Sequence, residues 1–179
     1  VLCKNGYAVK KRIYDEQGFI ASEWYLDGEG KPVRCTGGYH RIDRTWQDSD
    51  HATSQAWFDE EGNPITLGDT YVRMDREFDE NGKIVTESYF GADGQPVLCK
   101  NGYAVRKRTY DNQGFIASEW YLDGEGKPVR CTDGYHRIDR TWQDSDHVIS
   151  EARFDEEGNP MTLDDTDVRM EQESDGNGG

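Results

Sequence analysis

A chain of 179 residues with a net charge of −15 and only 34% hydrophobic residues is too polar for an ordinary large core. Its acidity disfavours nucleic acid and anionic membrane surfaces, both of which attract basic proteins. No run reaches the roughly 18 apolar residues that a spanning helix needs, so no membrane insertion is expected. Aromatic residues, at 12%, separate the chain from disordered acidic sequences and are expected to supply most of its burial. It begins at Val1 without an initiator Met, which reads as a processed chain or a fragment, so export cannot be judged from a leader.

In chain order, the first predicted element is a strand over YAVKKRIY, Tyr7 to Tyr14, rich in aromatic and β-branched residues and free of Gly and Pro. Asp15-Glu16-Gln17-Gly18 follows, with Asp opening and Gly closing a type I turn. IASEWYL, Ile20 to Leu26, is a second strand, and Asp27-Gly28-Glu29-Gly30 a second turn of the same kind. KPVRCT, Lys31 to Thr36, reads as a short third extended segment led by Pro32, and Gly37-Gly38 as another turn. Turn signals recur before any 3.6-residue stripe can develop, so helix is not expected.

The succession then returns. Tyr7, Tyr39, Tyr71, Tyr103 and Tyr135 stand 32 residues apart, and the five prolines, Pro32, Pro64, Pro96, Pro128 and Pro160, share one position of the same period. The units run over about 6–37, 38–69, 70–101, 102–133 and 134–165, with a partial unit at 166–179. Three distinct units make a block of 96 that is copied: YDEQGFIASEWYLDGEGKPV from Tyr14 is repeated from Tyr110 with one change, Glu16 to Asn112. In the second unit Gln47 to His51 replaces the Asp-x-x-Gly turn. Asp50 takes the Gly position and is expected to accept the left-handed conformation there. The partial unit decays, with Asp167 in the Tyr position and Ser174 in an aromatic one, as a polar cap or a fraying end would.

A lone hairpin is marginal in water, so each unit is expected to lean on its neighbours. The fold class predicted is all-β. It is an elongated repeat array of stacked β-hairpins, a solenoid or superhelix spanning 1–179, with a 32-residue unit and three units per 96-residue super-repeat. The Tyr7, Tyr14 and Trp24-Tyr25-Leu26 positions and their counterparts are expected to pack unit on unit. Arg12, Arg44, Arg76, Arg108 and Arg140 recur in the first strand and Glu23, Gln55, Glu87, Glu119 and Glu151 in the second. Cross-strand pairing on a solvated face is expected of them, each pair contributing about 0.2–1 kcal/mol.

Cys3, Cys35, Cys99 and Cys131 share one position that elsewhere holds Leu67 and Leu163, which suits a small buried apolar site. Disulfides Cys3–Cys35 or Cys99–Cys131 stay open as alternatives, given Cα atoms within about 4.4–6.8 Å. No Cys-x-x-Cys spacing supports a metal site. His40, His51, His136 and His147 occupy positions filled by Ala, Phe, Val and Lys in other units, which suggests surface or partly packed residues. Acidic turns such as Asp59-Glu60-Glu61-Gly62 lack any calcium-loop pattern and read as solvated turns. No cofactor, no metal and no catalytic constellation is expected, because every notable feature recurs per unit whereas an active site is singular.

EWYLDGEGKPVRCTGGY, Glu23 to Tyr39, and SYFGADGQPVLCKNGY, Ser88 to Tyr103, resemble the cell-wall-binding repeats of choline-binding proteins. RIYDEQG, Arg12 to Gly18, is similar to the Tyr-Asp repeats of bacterial surface and toxin shells. The unit as a whole looks like the tandem Tyr-Asp-x-x-Gly repeats appended to surface proteins of gut Firmicutes. The resemblance implies hairpins stacked into a superhelix, an extracellular or cell-surface location, and a non-catalytic module that binds carbohydrate or a cell-wall polymer. Trp24, Tyr25, Trp46, Trp57, Trp120, Tyr121 and Trp142 are the candidate ligand-binding residues. Two other readings stand beside it: a passive spacer or interaction scaffold, and an appendage that positions a cell-wall glycosyl- or glycerophosphotransferase. Open aromatic platforms would favour binding, and aromatics used up between hairpins would favour the spacer.

Overall fold

A computed structural model describes residues 3–162; the partial unit 166–179, with Asp167 and Ser174, lies outside the described residues, as does Leu163. The described residues form ten strands and no helix. The strands are β1 (Val9–Tyr14), β2 (Ile20–Leu26), β3 (Arg41–Trp46), β4 (Ala52–Phe58), β5 (Arg73–Phe78), β6 (Ile84–Phe90), β7 (Val105–Tyr110), β8 (Ile116–Leu122), β9 (Arg137–Asp144) and β10 (His147–Phe154). They lie in one open antiparallel sheet in the order β1 to β10. Each strand contacts only its neighbours in the sheet, so the sheet is a single layer.

Consecutive strands pair into five hairpins. Within the first, partners run from Val9↔Leu26 to Tyr14↔Ile20, with a bulge between Ile13 and Tyr14. The turn explains the bulge. Gly18 N–H donates to the Asp15 carbonyl, and Asp15 N–H donates to the Phe19 carbonyl. Gly18, at φ 89°, provides the left-handed residue that returns the chain to the sheet twist. The Asp15 side chain accepts the N–H groups of Gln17 and Phe19, at 3.0 and 2.8 Å. Asp27, Asp59, Asp79, Asp111, Asp123 and Asp155 each do the same. The paired Asp-x-x-Gly phrases are therefore the two turns of the first and fourth units, single ones serve in the others, and one oxygen of each carboxylate is spent on its own backbone.

Two expectations are corrected. Among the described residues no residue other than Gly has positive φ, so Asp50 does not take the left-handed conformation. Its turn closes through Gln47 N–H to the His51 carbonyl, with the His51 imidazole 2.6 Å from Asp48. The segment after Pro32 is also not a strand. It contributes a single bridge, Leu26↔Pro32, and the Val33 N–H bonded to the Tyr25 carbonyl. Pro has no N–H to extend a ladder, and a third turn over Cys35–Gly38 then carries the chain to β3.

Hairpins meet edge to edge, but briefly. β2 and β3 pair only at Ser22↔Asp43, Glu23↔Ile42 and Trp24↔Arg41, and the other joints have the same three-pair form. The connecting links add bonds of their own. Thr36 N–H donates to the Asn5 carbonyl and Thr132 N–H to Asn101, while Arg34 and Arg130 reach Glu60 and Glu156 in the link turn of the next unit.

Gly126, at φ 80° with open space where a Cβ would lie, isolates the backbone requirement of these turns. Gly126→Ala is expected to cost about 1–2 kcal/mol. In urea unfolding this appears as a lowered midpoint with an unchanged slope.

Candidate functional site

Side chains complete what the three-pair joints leave unfinished, on one face of the sheet, in three rows. The first row runs along the link end. Tyr7, Tyr25 and Tyr39 form one run of rings, and Trp57, Tyr71, Tyr89, Tyr103, Tyr121 and Tyr135 another. Centroid distances alternate with the architecture. They are 4.6–4.7 Å inside a hairpin (Tyr7–Tyr25, Tyr71–Tyr89, Tyr103–Tyr121) and 5.9–6.1 Å across a joint. In the fifth hairpin Arg153 stands where the ring would be, and its guanidinium lies 5.1 Å from the Tyr135 centroid, continuing the row by cation–π attraction. Cys99 and Cys131 are buried in this row with Met74 and Ile138, Cys35 is half-buried and Cys3 exposed, and all four cysteines are free thiols.

The second row is ionic. Arg12, Arg76, Arg108 and Arg140 each donate from Nε to the Glu directly across the hairpin, Glu23, Glu87, Glu119 and Glu151. The partners are those the sequence predicts, but the solvated face is not. Glu23, Glu87 and Glu119 are buried, because the Tyr two residues on covers each carboxylate and donates its hydroxyl to Oε1. Arg106, from the next hairpin, adds a bond of 2.7 Å to Glu87 and lies 3.9 Å from Glu119. Burial pushes the Glu87 carboxyl up, but the Tyr89 hydroxyl and the charges of Arg106 and Arg76 outweigh it and hold it below the usual range. Glu23 and Glu119 are held low in the same balance, and burial and the Glu bond push the Tyr89 and Tyr121 hydroxyls up.

The third row lies at the hairpin tips. The residue that follows each turn packs on the strand-end aromatic of the next hairpin. Phe19 meets Trp46 at 6.3 Å, His51 meets Phe78 at 4.8 Å, Lys83 lies 5.8 Å from the Tyr110 centroid, and Phe115 meets Trp142 at 5.9 Å. Trp46, Tyr110 and Trp142 also donate back to the carbonyls of Ile20, Ile84 and Ile116, at 2.7–2.8 Å. A shallow open groove of about 440 Å³ runs past Lys83, Tyr110, Phe115 and Trp142.

The seven candidate residues therefore divide among three places and do not converge on one site. Tyr25, Trp57 and Tyr121 belong to the link-end row, and Trp46 and Trp142 to the tip row. Trp24 and Trp120 lie on the opposite face, since each stands across from a residue of that face, Arg41 and Arg137. Both indoles are partly exposed. Among the described residues neither makes a ring contact, a cation–π contact or a side-chain hydrogen bond. Sequence reasoning did not single out Lys11, Arg41, Lys107 and Arg137, which flank these indoles; only the strand register brings them there. No protein-family model matches the chain, and no curated protein matches it either.

Two outcomes follow from the rows. Glu87→Gln is expected to cost about 2–3 kcal/mol, since it leaves the part-buried guanidinium groups of Arg76 and Arg106 without their carboxylate. A carboxyl held low in the folded state contributes fully above its unfolded value of about 4.3 and loses that contribution as pH falls through the folded value. Stability of the native chain should thus fall steeply below about pH 4, and Glu87→Gln should flatten that limb in urea unfolding measured across pH. Trp142→Phe keeps the ring and removes the bond to Ile116, for an expected loss of about 1 kcal/mol in the same assay.

Proposed function

We propose that this chain is a non-catalytic repeat module of a bacterial cell surface, a superhelical array of 32-residue units, that binds carbohydrate or a cell-wall polymer through Trp24 and Trp120. One observation carries the reading. Of the seven candidate aromatics, these two make no side-chain ring, cation–π or hydrogen-bond contact among the described residues, and they occupy the same position in both 96-residue copies. Partly exposed aromatic rings with polar neighbours are the material of shallow recognition sites. The five others are committed to joints between hairpins, where their loss would loosen the array.

That commitment favours a second reading at the same time. An array joined so heavily along its length serves as a spacer or interaction scaffold, including one that positions a cell-wall glycosyl- or glycerophosphotransferase. The two readings separate in a screen of the chain against immobilised glycans and wall polymers. Binding that is lost in the Trp24→Ala, Trp120→Ala double variant is expected from the first. Absence of any bound glycan, with the double variant as stable as the native chain, would leave the spacer.

A further inference from the structure

The two free indoles have matching cross-strand partners. Trp24 stands directly across from Lys11 on β1 and Arg41 on β3. Trp120 stands across from Lys107 on β7 and Arg137 on β9. Residues directly opposite in an antiparallel sheet share a face, with Cβ atoms about 4.5–5.5 Å apart. Each indole is therefore flanked on both sides by a cation. Arg41 lies over Phe58 with its guanidinium 3.9 Å from the centroid, and Arg137 over Phe154 at the same distance. The guanidinium planes are thereby fixed in place.

Neighbouring charge decides which cation is available. Asp43 lies 3.2 Å from Arg41, and Asp139 3.1 Å from Arg137, so each Arg is largely neutralised. Ser22 in turn donates to Asp43. Lys11 and Lys107 have no ion pair among the described residues. Each site thus carries one uncompensated ammonium beside an open indole, in a chain whose net charge is −15. Among the described residues that face offers no third arrangement of the kind. At the remaining joints the Trp position holds Ala56 or Ser88, and in β10 it holds Ala152.

We infer that Trp24 with Lys11 and Arg41, and Trp120 with Lys107 and Arg137, are two equivalent subsites for acidic carbohydrate, a pyranose bearing a carboxylate. The inference rests on the carbohydrate reading above and narrows it. The indole accepts the C–H face of the sugar ring and the ammonium takes the carboxylate in a charge-assisted hydrogen bond, while the guanidinium, paired with its own Asp, walls the other side. The two sites are six strands apart in the sheet. With an ordinary twist of roughly 20–25° per strand they would face different directions, so a short oligosaccharide should fill them independently. Because Ala56 and Ala152 already occupy the Trp position elsewhere, replacing either Trp by Ala should leave the fold intact.

The test is calorimetric titration of the full chain with a short oligogalacturonate and with its carboxyl-reduced, neutral counterpart. Two equal sites per chain are expected for the acidic sugar. Trp24→Ala and Trp120→Ala should each leave one site and the double variant none, all with unchanged unfolding midpoints. The reduced sugar should bind at least about tenfold more weakly. Lys11→Glu should weaken one site and added salt both. A single site, or titration unaffected by the double Trp variant, would overturn the assignment. Equal affinity for acidic and reduced sugars would overturn the acidic class and leave the carbohydrate reading standing. Failure of oligogalacturonate to bind while the screen returns a neutral glycan would do the same, whereas a screen with no glycan bound would remove both.

Discussion

Each joint between hairpins rests on three residue pairs, and everything else on the aromatic-and-ionic face follows from that shortage. A hairpin of this size holds itself with six or seven pairs along its length. Across the joint the ladder stops after Trp24↔Arg41, with one further backbone bond at the link end, from the Tyr25 N–H to the His40 carbonyl. Rings close the link end at 5.9–6.1 Å. Rings and hydroxyl or indole donors close the tip end. Between them sits the Arg–Glu row, sealed by Tyr hydroxyls.

The single layer explains the composition. A sheet with no second layer cannot hide Leu and Val, so long amphipathic side chains cover its surface. Tyr, Trp and Arg bury their apolar bodies against neighbours while keeping polar ends bonded. That is how a chain with a mean hydropathy of −0.99 still assembles a continuous buried cluster. It also explains how a carboxylate such as Glu87 comes to be buried. Arg76 neutralises it at Oε2 from its own hairpin and Arg106 at Oε1 from the next, and the Tyr89 hydroxyl donates to Oε1 as well.

The same economy bears on function. Where five of the seven candidate aromatics are used to join hairpins, the two that join nothing stand out. Trp24 and Trp120 lie at the ladder itself, where backbone bonds already make the joint, and on the face away from the three rows. Their neighbours Lys11 and Lys107 likewise have no ion pair among the described residues. Leaving both a ring and a charge uncommitted in the same place, twice, is what separates this position from the rest of the array.

Much was legible in the sequence, because turn chemistry is local. Asp15-x-x-Gly18 and Asp27-x-x-Gly30 dictate their own bends, and the 32-residue recurrence of Tyr, Pro, Arg and Glu sets which residues face each other across a hairpin. The all-β class and the Arg12–Glu23 partnership follow from spacing alone. The burial of Glu23 does not, because it depends on where the Tyr25 hydroxyl points. The segment after Pro32 read as a strand, since its composition suits one; whether it pairs depends on a neighbouring edge, and only one bridge is offered. The candidate aromatics were equally visible as a set of seven and equally undivided. Period-two alternation puts Trp24 and Tyr25 on opposite faces whatever the fold, but which face carries the joints is a tertiary fact. The sequence by itself determined the hairpins and their order along the chain; the three-dimensional register decided that Tyr25 would be buried between them and Trp24 left open beside Lys11.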